Sequence, residues 1–422
     1  MHRNLPRPLS THVKGRSPAA LIAWMSAAHV LSMLGFSTWP TLLPVMQPVW
    51  QLSSAQAGLV SGIFFGGYMV LVPFLSGLTD RMDARRVYGM SCVIAALGSL
   101  GFSLFAQGLW TALLFQFLNG AGIAGTYMPG LKLLADHTSG ATQSRGVSVY
   151  TSVFGVGASL SILLAGTING LWGWEMAFGL CAAGPLLSAA LVLGTMPAGQ
   201  VHQADQADAQ AGVARIKAVF AQGDAARYIL GYCVHCWELF GSRSWLVAFL
   251  ASAAMGAAAS DPHGSAVMVA ALANLIAPLA SIGGNELAIR RGRDPVVWNA
   301  MFACALLTAC LGFLGWLPWP VLGVLAVIHV FALMGDSGAL TAGMVAASSA
   351  RMRGISMAVH STLGFGAGFI SPLVFGLVLD GAGGRDSQVA WGLAYATLAL
   401  PVLAGSFLLR PRSGGRNRPG VA

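Results

Sequence analysis

Charge is what this chain has least of. Of its 422 residues only 9% are Asp, Glu, Lys or Arg, where a soluble domain carries roughly 25%. So few charges cannot coat a water-facing surface of this size, and lipid must be the solvent over most of it. Long polar segments are also scarce. The one extended stretch, 197–226, is rich in Ala, Gln and Asp and ends in Arg215-Ile216-Lys217-Ala218-Val219-Phe220, which reads as a linker with a short interfacial helix. That leaves no loop large enough for a soluble catalytic domain. No His is followed five residues on by Asp, so a membrane-bound acyl- or glycosyltransferase is not supported and no enzyme is expected. The net charge of +9 forms no basic face, no aromatic-interleaved groove and no zinc finger, so no nucleic acid is expected as a partner. The six cysteines all fall in apolar segments, where cysteine behaves as a small hydrophobe. Cys233, His235 and Cys236 have no second Cys/His cluster to complete a four-ligand site, so neither metal nor cofactor is expected.

What the chain has instead is length after length of apolar sequence. Hydrophobic residues make up 56% and the mean hydropathy is +0.70. A bilayer is crossed by about 20 apolar residues. On that measure spans fall near 19–46, 55–79, 86–106, 108–135, 146–170, 173–195, 227–253, 264–289, 295–316, 318–345, 354–379 and 388–409. The expectation is an all-α membrane protein with twelve transmembrane helices. The first apolar run continues through Leu43, too long for a cleaved secretory leader. With the N-terminus inside, every one of the 23 Lys and Arg except Arg243 and Arg385 falls in a cytoplasmic loop or tail, as the positive-inside rule requires. A missed or invented helix would invert every later loop. Both termini are therefore expected in the cytoplasm, with the chain in the plasma (inner) membrane. The organisation read from this is a tail at 1–18, a six-helix bundle at 19–196, a linker at 197–226, a second six-helix bundle at 227–409 and a tail at 410–422.

The halves repeat one another. Gly77-Leu78-Thr79-Asp80-Arg81-Met82-Asp83-Ala84-Arg85-Arg86 and Gly283-Gly284-Asn285-Glu286-Leu287-Ala288-Ile289-Arg290-Arg291 both run glycine, acid, clustered arginines between apolar segments. Arg145-Gly146-Val147-Ser148 leads into Gly155-Val156-Gly157-Ala158, and Arg353-Gly354-Ile355-Ser356 into Gly364-Phe365-Gly366-Ala367. Recurrence at half-length indicates duplication and two pseudo-symmetric bundles.

On these residues the chain resembles the major facilitator superfamily from about residue 19 to 409, with the 77–86 run similar to that family's signature between spans two and three. The resemblance implies secondary transport by alternating access. It implies that Asp80, at the end of span two, meets the start of span eleven and latches an outward-open state, with Gly77, Arg81, Arg85 and Arg86 in the same motif and Glu286, Arg290 and Arg291 as its counterpart. Two runs depart from the family pattern. Gln116-Phe117-Leu118-Asn119-Gly120 has a neutral amide where many members carry arginine, and Gly155-Val156-Gly157-Ala158-Ser159 lacks the proline of drug antiporters.

An ionisable side chain at the centre of a membrane costs about 2.5–3.5 kcal/mol on insertion scales, so retained ones are functional candidates. These are His29, His235, Glu238, Arg243, His329 and Asp336, with Asn119 as a polar lining residue. His235 and Glu238 are three apart and share a helix face, where an imidazole beside a carboxylate can pass a proton. Arg243 is expected to meet a substrate anion or an acid such as Asp336. Trp39, Tyr127, Gln116, Trp237 and Trp245 are further lining candidates, Trp39 also being placed as an interfacial anchor, and Pro129-Gly130 is expected to break its helix. The reading is a monomeric, proton-coupled transporter of a small organic anion or zwitterionic metabolite in the lipid bilayer. Proton-driven efflux of a drug or metabolite, and a non-transporting membrane sensor or scaffold, are the alternatives.

Overall fold

The computed structural model describes residues 17–79, 81–198, 212–257, 260–349 and 352–411. Asp80 and Arg351 lie outside the described residues, as do most of both tails and residues 199–211 of the linker. The described chain is helical: α1 (Pro18–Ser32), α2 (Thr38–Val49), α3 (Ser54–Leu78), α4 (Ala84–Phe105), α5 (Leu109–His137), α6 (Gly140–Cys181), α7 (Ala183–Thr195), α8 (Gly212–Ala221), α9 (Gly223–Gly256), α10 (Pro262–Arg291), α11 (Arg293–Leu311), α12 (Trp319–Leu333), α13 (Ser337–Ala347), α14 (Arg353–Gly381) and α15 (Gln388–Ser406). Among the described residues nine helical segments are long and apolar enough to cross a bilayer. One of them, Arg145–Thr195, has 51 residues. As a straight helix it would extend about 75 Å, more than twice the roughly 30 Å hydrocarbon core. Gly173 interrupts it, with φ 88° and ψ 170° inside α6, a backbone that only glycine adopts without strain.

The outside of the bundle is apolar. Trp110 is 80% exposed, Phe74 and Trp316 71%, and Leu171 66%. Against water such a surface would aggregate; against lipid it is the stable arrangement. The chain is a multi-pass membrane protein.

Several helices are broken or bridged in ways the sequence did not announce. The first apolar run is two helices, with a break at 33–37 where Asn119 Nδ2 donates to the Gly35 carbonyl (3.2 Å), the Ser37 N–H donates to Ser161 Oγ (2.9 Å), and Ser161 Oγ donates to the Leu34 carbonyl (2.7 Å). Freed backbone groups at membrane depth need such partners. The segment expected at 318–345 is likewise split, into α12 and α13, at Met334–Asp336. The expectation that Pro129-Gly130 breaks its helix is corrected: α5 runs through Pro129 to His137. Tyr150 Oη, from α6, donates to the Thr126 carbonyl (3.1 Å) in the turn before the proline.

The N-terminal and C-terminal helices meet along α3–α14 and α6–α10. In α3, a Cβ on Gly58 would lie 2.1 Å from the Pro372 carbonyl oxygen, and one on Gly62 2.1 Å from that of Phe369. Only glycine permits this approach. Phe65 packs on Phe240 (ring centroids 4.2 Å) and Tyr68 stacks on Phe365 (3.7 Å). On the other pair, Ser159 Oγ donates to the Ala271 carbonyl (2.8 Å). At the end remote from the arginine runs, Asp380 of α14 accepts from the main-chain N–H of Ser54 (2.9 Å) and Ala55 (2.8 Å). It caps the positive N-terminus of α3 from across the seam. At the arginine-bearing end, Gly77 and Gly354 have no atom within 4 Å of a built Cβ. A Gly62→Leu substitution should therefore lower the melting temperature of the detergent-solubilised protein, overpacking costing about 1–3 kcal/mol. Gly77→Leu should leave it nearly unchanged, and equal effects would contradict this account of the seam.

Candidate functional site

The buried ionisable residues fall into three groups. The densest lies between α9, α11 and α12. Glu238 of α9 is 2% exposed and His329 of α12 is fully buried. Thr308 of α11 stands between them: its Oγ1 donates to Glu238 Oε1 (2.6 Å) and lies 2.8 Å from His329 Nε2. Cys304, one turn before Thr308, places its Sγ 3.6 Å from the same carboxylate oxygen. The carboxylate oxygen, thiol sulfur and imidazole nitrogen all fall within 4.8 Å of one another. The carboxylate and the imidazole are joined through the Thr308 hydroxyl, so the cluster is a continuous hydrogen-bonded chain. In a low-dielectric interior such a chain is far more stable than its members left unpaired.

The second group is His235 with Asp336. His235 Nδ1 lies 2.8 Å from Asp336 Oδ1, close but out of line for a hydrogen bond. Asp336 sits at the α12–α13 break, at the N-terminus of α13, where a carboxylate is favoured. Nearby, His360 stacks on Tyr232 with ring centroids 3.7 Å apart. The expected sharing between His235 and Glu238 is thereby corrected: each turns to a partner on another helix. Asp336, anticipated as a partner of Arg243, belongs to His235.

Arg243 forms the third. Along the unbroken α9 it faces the seam between the N- and C-terminal helices, its guanidinium carbon 5.4 Å from the centre of the Phe154 ring. Among the described residues no carboxylate pairs with it, and its Nε has no partner. It borders a small cleft whose lining includes Phe36, Ser37, Phe65, Ser244 and Asn274. The Asn274 Oδ1 also lacks a partner. A guanidinium stacked on one ring, with two more rings and an unpaired amide oxygen around the opening, presents a cation and flat apolar faces to whatever enters.

The remaining candidates are placed apart from these. His29 is buried against Tyr150 (centroids 4.5 Å) and Tyr127 (5.5 Å), with neither ring nitrogen partnered. Asn119 supports the α1–α2 break rather than a cleft. Of the lining candidates, Trp39 borders a second small cleft with Gln116, whereas Trp245 is a core residue; they are 1% and 0% exposed. Their indole N–H groups hold neighbouring helices, Trp39 donating to the Ala57 carbonyl (3.2 Å) and Trp245 to that of Pro372 (3.0 Å).

The 77–86 run is tied to its own side of the molecule. Arg85 pairs with Asp83 (2.6 Å) and donates to the Met196 carbonyl (3.0 Å), while Lys132 Nζ donates to the Thr79 carbonyl (2.6 Å). Gly77, Arg81 and Arg86 are exposed. In the second run Glu286 pairs with Arg290 (2.7 Å) on one exposed helix face, a contact of the kind worth only about 0.3–0.5 kcal/mol, and Arg291 is exposed beside it.

Thr308 and Phe154 were not singled out in the sequence. A hydroxyl or a phenyl ring in an apolar run carries no insertion penalty that would mark it.

A stack of long helices with an apolar exterior, joined at a glycine-lined seam beside a guanidinium with no carboxylate partner among the described residues, is the build of a membrane carrier. The chain belongs to the Major Facilitator Superfamily, which it matches over residues 25–406. It is 23% identical over 413 residues to the gentisate transporter of Corynebacterium glutamicum, covering 94% of this chain and 89% of that one. A shorter similarity, 24% over 157 residues, relates 37% of this chain to 34% of the length of the niacin transporter NiaP of Acinetobacter baylyi. Among solved structures, a bacterial homologue of the human lysosomal transporter Spinster, inward-facing and unoccupied, superposes with a TM-score of 0.73 at 16% identity, over 94% of this chain and 95% of that one. A D-xylose–proton symporter gives 0.73 at 16% identity, over 94% and 98%. At these identities the structural likeness establishes the fold. The family and these neighbours are transporters, not enzymes.

Proposed function

We propose that this protein carries a small organic anion across the plasma membrane by alternating access, coupled to protons, with Arg243 as the countercharge of the substrate and Glu238 or Asp336 as the proton carrier. The observation that carries the reading is Arg243 itself: a cation at the seam, beside a cleft, with no carboxylate partner among the described residues. A desolvated guanidinium needs a counter-charge, and a carboxylate matches its fork. Phe36, Phe65 and Phe154 around it favour a ring-bearing acid. The gentisate and niacin transporters among the relatives are named for substrates of that type.

In this reading the chain makes twelve crossings as a monomer. α1–α2 and α12–α13 are each one interrupted crossing, and α6–α7 are two divided at Gly173. The two bundles at 19–196 and 227–409 move as bodies about the α3–α14 and α6–α10 seams. Both termini and the arginine runs face the cytoplasm. The Asp380 cap holds the outer end of the seam while Gly77 and Gly354 stand open at the inner end, which supports an inward-facing state. The opposite state would be latched through the motif of Gly77, Asp80, Arg81, Arg85 and Arg86, with Glu286, Arg290 and Arg291 as its counterpart. A thermal-shift screen of the purified protein against aromatic carboxylates, sugars and cationic drugs at two pH values tests the substrate class. Stabilisation by carboxylates alone, lost in Arg243→Ala, is the expected result. Stabilisation by cationic compounds alone would move the reading to drug efflux.

A further inference from the structure

The bonds around Thr308 have a direction that can be read from proton bookkeeping. The Thr308 hydroxyl holds one hydrogen, and an ionised Glu238 holds none. The 2.6 Å bond between them therefore has Thr308 as donor. Its oxygen must then accept on the other side, so His329 Nε2, 2.8 Å away, carries the imidazole proton. That leaves His329 Nδ1 as a bare lone pair, and this atom is buried without a partner. The ring nitrogens of His29 and His235 and the Nδ1 of His360 are likewise buried without a hydrogen-bond partner. At His329 the orphan is the free end of an aligned chain.

We propose that His329, Thr308 and Glu238 form a proton wire entered at His329 Nδ1, which delivers the coupling proton to Glu238; the proposal rests on the proton-coupled reading above. When a proton binds Nδ1, the Nε2–H proton passes to Thr308 Oγ1 and the original Thr308 proton passes to Glu238 Oε1. One proton has entered. Glu238 is now a neutral carboxylic acid, Thr308 still holds one hydrogen, and His329 is again neutral with its proton on Nδ1. Both hydrogen bonds survive with their polarity reversed: Glu238 donates to Thr308, and Thr308 donates to His329 Nε2. No isolated charge stays buried at the end.

The ionisable groups facing this chain are known from each element packed against it. They are Cys304 on α11, which meets Glu238, Tyr395 on α15, which meets His329, and His235 on α9 and Asp336 at the α12–α13 break, whose charges act on Glu238. Tyr395 stands edge-on to His329, with centroids 6.2 Å apart, and its Oη also lacks a partner. Among these groups it is the one whose ring borders the His329 imidazole.

The first arm of the test needs no transported substrate. Full-length protein labelled with nitrogen-15 histidine and carbon-13 glutamate is placed in lipid bilayers and followed by solid-state NMR through a pH series. His329→Gln and Glu238→Gln assign the two signals. The expected result is a neutral His329 ring with its proton on Nε2 at high pH, changing to the Nδ1–H form as Glu238 becomes protonated. Thr308→Val should abolish the linked change and Thr308→Ser should restore it. In proteoliposomes with an imposed pH gradient and gentisate as probe, Thr308→Val should lower gradient-driven uptake at least tenfold, with Thr308→Ser recovering it. A His329 that keeps its Nε2 proton, or becomes an imidazolium, while Glu238 protonates would overturn the wire. If the tautomer switch occurs in a protein whose flux ignores the pH gradient, the coupled-transport reading fails while the wire stands. If flux follows the gradient without the switch, the wire alone fails.

Discussion

Replacing Glu238 with Gln should abolish accumulation of substrate against its gradient while exchange of substrate across the membrane continues. The amide keeps the shape of the side chain and can still meet Thr308 Oγ1, 2.6 Å away in the native chain, but it can neither bind nor release a proton. A carrier that turns over only when this position is neutral would then be held permanently in the neutral form, able to swap substrate but unable to use the gradient. The sign follows: with acid outside, the wild-type protein accumulates substrate, and the variant equilibrates it. Uptake in reconstituted vesicles with and without a protonophore measures the difference. Gradient-driven accumulation that survives the substitution would remove Glu238 from the coupling path and leave Asp336 as the carrier.

Substituting Arg243 should produce the second large effect. Its guanidinium is held over Phe154 at 5.4 Å with Nε unpaired, so it can offer a fork to a carboxylate. Lys at the same position keeps the charge but loses the fork and the stacking. A hydrogen bond to a charged group is worth about 1.5–3 kcal/mol, which at 1.4 kcal/mol per decade is about 10- to 100-fold in affinity. Arg243→Lys should raise the half-saturating concentration by that factor, and Arg243→Ala should raise it further. The maximal rate should change less than the affinity. An unchanged transport constant in Arg243→Lys would place the binding site elsewhere.

Much of the architecture was legible because the bilayer imposes a simple length rule. The boundaries read as 55–79, 86–106 and 388–409 fall close to α3, α4 and α15. The seam was legible in part. Glycine runs at 155–158 and 364–367 mark positions that the structure brings to close contact, although Gly58 and Gly62, which allow the tightest approach, sit in a run with no such repeat. The break at 33–37 was not legible, since its satisfaction comes from side chains far away in sequence, Asn119 and Ser161, while the break at 334–336 closes on local main-chain turns that no residue pattern marks. Pro129 was misread because its helix continues through it to His137, with Tyr150 of α6 bonded to the turn before the proline. The ionisable residues announced themselves through their insertion cost, yet their pairing did not. Spacing along α9 suggested His235 with Glu238, whereas tertiary packing gave each a partner from another helix. Thr308, the residue that joins two of the candidates, is silent in sequence, as a hydroxyl in an apolar run always is.

The most direct measurement is uptake of radiolabelled gentisate, benzoate and nicotinate into proteoliposomes holding the purified protein, under an imposed inward proton gradient. The account predicts accumulation above equilibrium for at least one of these carboxylates, collapse on adding a protonophore, and loss of uptake in Arg243→Ala. No flux of any carboxylate from protein that is monodisperse and oriented in the vesicle, or flux indifferent to Arg243, would contradict it.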